Sequence, residues 1–317
     1  MKNAGKTTVL NSLIPAFSKK TIGLTSIGMD GEAFDNVTFL PKPRVMALPG
    51  FLVATAEKCL DVFEADYDIV ETTKYRSPLG QIVIARIIKA GNVLIAGPSA
   101  IVDMENTIKR MLEIGADKVF IDGAFSRQSP ARLATATILV IGANRSVVLE
   151  TVLKDAEAIV HKLRLEAVES NLMYLKDHTK ITAIDNLDNI HEYDGGSTLI
   201  EPESVIAWVQ PGWGYLYVPN AVGASFLKLM LKDKAKKFIL VMNDPISMQI
   251  DDSLVKHIEH LSKRIRVMNP VNLVAVCVNP QSVRGYAYQE GELEKALANR
   301  LGLEVINVMT EVGEIDE

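Results

Sequence analysis

Two series of short β-branched runs alternating with longer amphipathic ones predict an α/β protein, with a first, parallel sheet flanked by helices and a second, smaller α/β domain. A chain of 317 residues, 48% of them hydrophobic and 23% charged, is long enough to bury two cores. Between the two series, periodicity fades over residues 165–196 and Asp and Asn accumulate. Element by element, residues 6–18 carry helical spacing through Val9, Leu10, Leu13 and Ile14, and residues 21–25 read as a buried strand. Residues 44–48 read as a second strand and 54–63 as a helix. Residues 67–72 and 81–87 are strand-like and joined by the turn Ser77-Pro78-Leu79-Gly80, with a further apolar run at 92–96. A helix at 101–114 leads to strands at 118–121 and 137–141, and another helix begins near Ser146. These elements make a first domain at 1–165. Residues 166–196 form the connection, which ends on the turn Asp194-Gly195-Gly196. The second domain, 197–317, has apolar runs at 205–209, 215–218, 238–242, 273–278 and 304–308, with helical patterns around 221–231, 253–263 and 290–301.

Composition narrows the function classes. A net charge of -5 argues against a nucleic-acid binder that works through a general basic surface. No run approaches eighteen consecutive apolar residues, and the first residues lack the order of a secretory signal. Cys59 and Cys277 lie far apart with no metal-ligand spacing and read as buried thiols in a reducing compartment, which predicts the cytoplasm.

The strongest chemical signal is Ala4-Gly5-Lys6-Thr7-Thr8, running directly into an apolar-periodic helix. It matches the second half of the phosphate-binding P-loop, G-x-x-x-x-G-K-[ST]. Met1, Lys2, Asn3 and Ala4 would be its variable positions. The first glycine and the strand that feeds the loop would then precede Met1, so the sequence predicts a fragment or a start placed too late. In this reading Asn3, Ala4, Gly5, Lys6, Thr7 and Thr8 bind ATP: backbone amides cradle phosphate, Lys6 supplies a point charge, and the Thr7 hydroxyl ligates Mg2+. An ordinary helix start is the alternative. A strand at 118–121 would deliver Asp122 to the carboxyl edge of the sheet, where it could hold the magnesium shell, unless Asp122-Gly123 is simply a turn. Asp30, in the loop after residues 21–25, is a second metal candidate or else part of a solvated turn. No guanine-reading Asn/Thr-Lys-x-Asp motif is present, which favours ATP over GTP.

Several segments together resemble a known family: AGKTT, the loop LTSIGMDGE (residues 24–32), Lys42-Pro43-Arg44, LVATAE (52–57), TTKYRSPLGQIVIAR (72–86), AGPS (96–99) and FIDGAFSR (120–127). The chain is similar here to P-loop proteins found with MutS-like ATPases and B12-dependent amino acid mutases such as lysine 5,6-aminomutase and ornithine aminomutase. The likeness covers roughly residues 1–146. It implies a P-loop NTPase-type fold and an ATPase assembly or reactivation factor, with a MutS-like ATPase or the mutase as protein partner. It also implies Gly5, Lys6, Thr7, Asp30 and Asp122 as the nucleotide and metal residues. A competing reading is an ATP-dependent small-molecule ligase or kinase of the dethiobiotin-synthetase type, with Lys74, Arg76 and Arg127 facing an acidic substrate. His257 and His260, three apart on a helix, are a weak metal pair. Trp208 and Trp213 flank Pro211-Gly212 and read as a packed turn or a partner patch.

Overall fold

The computed structural model describes residues 4–27, 44–123 and 129–307. It is an α/β protein whose mixed sheets are flanked by helices. In chain order its first elements are α1 (Lys6–Leu13), β1 (Ile22–Ser26), β2 (Val45–Ala47), β3 (Leu52–Ala56), β4 (Asp66–Ser77), β5 (Gly80–Lys89), β6 (Gly91–Val93), α2 (Ile101–Glu113) and β7 (Lys118–Asp122). There follow β8 (Thr137–Gly142), α3 (Leu149–Leu163), β9 (Thr182–Ile184), β10 (Ile190–Glu192), α4 (Pro202–Trp208), β11 (Tyr215–Val218) and α5 (Ala224–Lys232). The last are β12 (Ile239–Met242), α6 (Asp252–Val255), α7 (Ile258–Ser262), β13 (Ile265–Val267), β14 (Leu273–Asn279), α8 (Glu292–Leu301) and β15 (Val305–Asn307). No helix among the described residues is long and apolar enough to cross a membrane.

The first sheet has the order β4-β5-β3-β1-β7. It is not the parallel sheet expected. β3, β1 and β7 run parallel, but β5 pairs antiparallel with both β3 and β4. The tight turn at Ser77-Pro78-Leu79-Gly80 accounts for the β4–β5 pair, because two strands joined by so few residues can only run antiparallel. Residues 54–63, read as a helix, are instead the end of β3 and a 3-10 turn at Glu57–Val62. The run at 205–209, read as a strand, lies mostly in α4: Val205, Ile206 and Val209 are buried at helical spacing behind Pro202, which favours a helix start.

A three-stranded parallel sheet, β15-β14-β8, joins β8 to the carboxyl-terminal residues. Residues 273–307 therefore pack with β8 rather than with the sheet expected to run to residue 317. That second sheet, β10-β9-β11-β12-β13, spans residues 182–267 and includes two strands from the stretch read as a connection. Its core gathers Leu216, Val218, Phe226, Leu240, Met242 and Val267.

Helix α1 straddles the two parallel edges. Leu10 and Ile14 pack with Ile22, Leu24 and Phe120 of the first sheet, and the Phe17 and Phe120 rings meet edge to face at 5.2 Å. Val9 and Leu13 pack with Ile138, Val140 and Cys277 of the three-stranded sheet. Side chains alternate across a strand. Val119 accordingly turns to Met111 of α2, while Leu139 and Ile141 turn to α3 and α8. The two sheets thus show α1 the same face. Among the described residues, β7 and β8 each pair on one side only.

Candidate functional site at the amino end of α1

The described part of the predicted loop, residues 4–8, lies at the carboxyl ends of the strands. Gly5 caps α1 in the left-handed region, φ 95°, and no side chain caps the helix. The first turn of a helix leaves backbone donors without intrahelical acceptors, and its dipole favours an anion there. A residue with a Cβ would be strained at this φ, and that Cβ would come within 3.1 Å of the Asn279 side chain at the end of β14. Gly142, the last residue of β8, is as tightly placed: a Cβ there would lie 2.8 Å from Ala4 Cα. Ala4 itself is completely buried.

Lys6 and Asp122 act on one another across this edge. Burial pushes the Lys6 ammonium below its ordinary value, and the Asp122 charge partly offsets that. Burial pushes the Asp122 carboxyl up, and Lys6 partly offsets that in turn. Each group is short of solvation, so an arriving anion would favour charged Lys6 and an arriving cation would favour ionised Asp122. Thr7 and Thr8 lie half-buried on the same turn of α1. Phosphate and a divalent cation therefore fit the residues present: a glycine cradle, a desolvated ammonium, a hydroxyl and a desolvated carboxylate.

The wall beside the site was not legible in the sequence. Tyr286 and Tyr288 donate hydrogen bonds, each 2.5 Å long, to the Ala143 and Ser146 carbonyls, and Ser282 donates to Asn144 at 3.1 Å. These contacts pin residues 282–288 against the loop that follows β8. Asn279, whose carboxamide oxygen accepts from the Gln281 amide at 3.0 Å, stands at the lip nearest Gly5. Its one sequence signal is an Asn-Pro pair closing an apolar run. On the other flank, Ser26 Oγ donates to the Ile95 carbonyl at 3.0 Å and accepts from the Gly97 amide at 3.3 Å. A Cβ on Gly97 would sit 2.1 Å from the Ser26 carbonyl oxygen, so only glycine lets segment 94–97 lie this close to β1.

Of the predicted site residues, Ala4, Gly5, Lys6, Thr7, Thr8 and Asp122 lie at this edge. Asn3, Asp30 and Arg127 lie outside the described residues. Lys74 and Arg76 are exposed on β4, and β5, β3 and β1 stand between that edge strand and β7, so the fold does not bring them to Lys6. His257 and His260 are exposed at α7. Trp208 and Trp213 meet edge to face at 4.9 Å, and Trp213 stacks on His191 at 4.7 Å, which is a packed turn. Cys59 and Cys277 are both buried.

A cleft of about 380 Å³ opens elsewhere, at the carboxyl ends of α3 and α8, and is lined by Arg164, Lys263, Arg266 and Arg300. Three of these cations are bridged, Arg266 to Glu166, Lys263 to Glu259, and Arg300 to Glu150 and Glu157. Cations beside helix carboxyl ends offset the dipole, so this cleft has a structural explanation. Compared with protein-family models, with curated proteins and with solved structures, the chain matches none.

Proposed function

We propose that the chain is a P-loop-type ATP-binding protein, taking the phosphates of ATP at the amino end of α1 with magnesium beside Thr7 and Asp122. One observation carries the reading: Lys6 and Asp122, 116 positions apart, meet at the carboxyl edge of a sheet, on the first turn of a glycine-started helix. Lys6 would hold phosphate through its ammonium, and the first-turn amides would add dipolar attraction. Thr7 and Asp122 would hold the metal, which supplies charge neutralisation at the phosphates. The resemblance described above extends this to an ATPase-type assembly or reactivation factor for a B12-dependent amino acid mutase, working with a MutS-like or mutase partner. The position of Lys74 and Arg76, far from Lys6, weighs against the small-molecule ligase or kinase.

Calorimetric titration tests the reading. Lys6→Ala should weaken Mg-ATP binding by more than about tenfold, from the loss of a charge-assisted contact worth roughly 1.5–3 kcal/mol. Asp122→Asn should shrink the magnesium dependence of affinity and leave the fold unchanged. Superimposable curves for the three proteins would overturn the assignment. Hydrolysis stimulated by a mutase protein, and not by a small metabolite, would support the partner.

A further inference from the structure

Away from α1, one cation sits out of water without a partner of its own. Lys162 stands in the last turn of α3, where that helix meets the second sheet. Ala158 and Leu165, on either side of it in sequence, pack into one core with Leu254, Ile258 and Leu261. Burial brings the Lys162 ammonium down to about 8, and the charges that act on it are Asp244 and Arg132. Among the described residues, no oxygen accepts a hydrogen bond from it.

The nearby carboxylate is already engaged. Asp244 Oδ1 accepts from the Ser247 amide at 3.0 Å and from the Ser247 hydroxyl at 3.3 Å, and Oδ2 pairs with Arg132 Nε at 2.9 Å. Arg132 Nη2 closes the ring on Ser247 Oγ at 3.2 Å. Asp244 is buried, and the residue before it is fixed: Asn243 accepts from the Tyr217 hydroxyl at 2.8 Å and donates to the Pro219 carbonyl at 2.6 Å. Arg132, from a 3-10 turn at Ser129–Arg132, keeps a guanidinium that is 38% exposed. Two cations and one carboxylate leave a single positive charge here, and a desolvated charge without a counter-ion is costly. The dipole of α3 does not account for it, because a cation can offset a helix end from the solvent side, as exposed Arg164 does at the end of α3. The cluster lies at the carboxyl end of β12, which runs parallel to β11 and β13. In open α/β sheets, ligands bind at that end of the strands.

We infer that Lys162 and Arg132 bind the carboxylate of a small molecule at the carboxyl end of β12. Charge selects the class: one negative charge makes the cluster neutral, whereas a doubly charged phosphate would leave an excess beside Asp244. Lys162 offers three N–H donors, and Arg132 still has Nη1. The bound carboxylate joins α3, the turn that precedes β8, and the second sheet, so occupancy tightens the seam between them. Nothing here depends on nucleotide binding at α1, and either site can fail alone.

Thermal melting at pH 7 tests this, in sodium acetate against sodium chloride at equal ionic strength. Lys6→Ala serves as the parent, so that anions at α1 take no part. Acetate should raise the melting temperature by about 2–4 °C over chloride, and phosphate by less. Adding Lys162→Met should remove the difference. An NMR titration of the Lys162 amine in the parent needs no further variant: its midpoint should lie at higher pH in acetate than in chloride, because a bound anion favours the ammonium. Equal melting and equal midpoints in the two salts would overturn the inference. So would an acetate effect that survives Lys162→Met. A larger effect of phosphate than of acetate would overturn the carboxylate class.

Discussion

β1 and β7 are neighbours of equal length, paired in unbroken register from Ile22↔Lys118 to Ser26↔Asp122. β7 carries the more apolar centre, Val119-Phe120-Ile121, yet every residue of β1 is buried while those three are half-buried. Composition alone does not separate them. Position does: β1 has β3 on its far side, whereas among the described residues β7 pairs only with β1. An apolar run shows what a strand is suited to bury, but its neighbours decide how much it buries. The site lies on the same divide. Segment 94–97 is latched to β1 and β3 by the Ser26 and Thr55 hydroxyls, whereas β7 and β8 both pack apolar side chains against α1.

Matched truncations sharpen this contrast most. Leu52→Ala in β3, where the side chain is fully buried, should cost about 2–5 kcal/mol, the usual range for a core leucine. Leu139→Ala in half-buried β8 should cost roughly 1 kcal/mol, because less apolar surface returns to water. Chemical denaturation of both variants checks the pair. Equal losses would mean that β8 is enclosed as fully as β3.

A smaller effect separates both regions from the seam with the second sheet, which is held by charge. There Arg132 bridges Asp244 at 2.9 Å and donates to Ser247 at 3.2 Å. Burial brings neighbouring Lys162 down to about 8, with Asp244 opposing that shift and Arg132 adding to it. Below pH about 8 the folded and unfolded forms both hold this proton, and the cost of the buried charge is fully present. From there to the ordinary lysine value the unfolded chain binds more protons, so stability rises with pH. Thermal melting between pH 7 and 10 should show a gain of roughly 2 kcal/mol that Lys162→Met abolishes. A rise of equal size in the variant would assign it to another group.

Much of this was legible in the sequence. β1, β7, β8, α2, α3 and α8 follow from their apolar runs and helical spacing, and the glycine-lysine-threonine motif opens a real helix at Gly5. The antiparallel β4–β5 pair is also written there, in the turn at Ser77–Gly80, whereas the antiparallel pairing of β5 with β3 has no local signal. Residues 205–209 misled because β-branched side chains suit both strand and buried helix, and the buried spacing that separates them emerges only on packing. Gly142, Asn279 and the Tyr286–Tyr288 clasp lie more than 130 residues from the motif they border. Beyond the Asn279-Pro280 pair little local marks them, and the pairing of β8 with β14 brings them in.

The proposed ATP site lies where β7, β8 and α1 converge. Amide exchange of the whole chain with and without Mg-ATP tests it most directly. The account predicts slowed exchange at Lys6, Thr7 and Thr8 and around Asp122, with the second sheet, residues 182–267, unchanged. Protection confined to the second sheet, or none anywhere at saturating Mg-ATP, would contradict it.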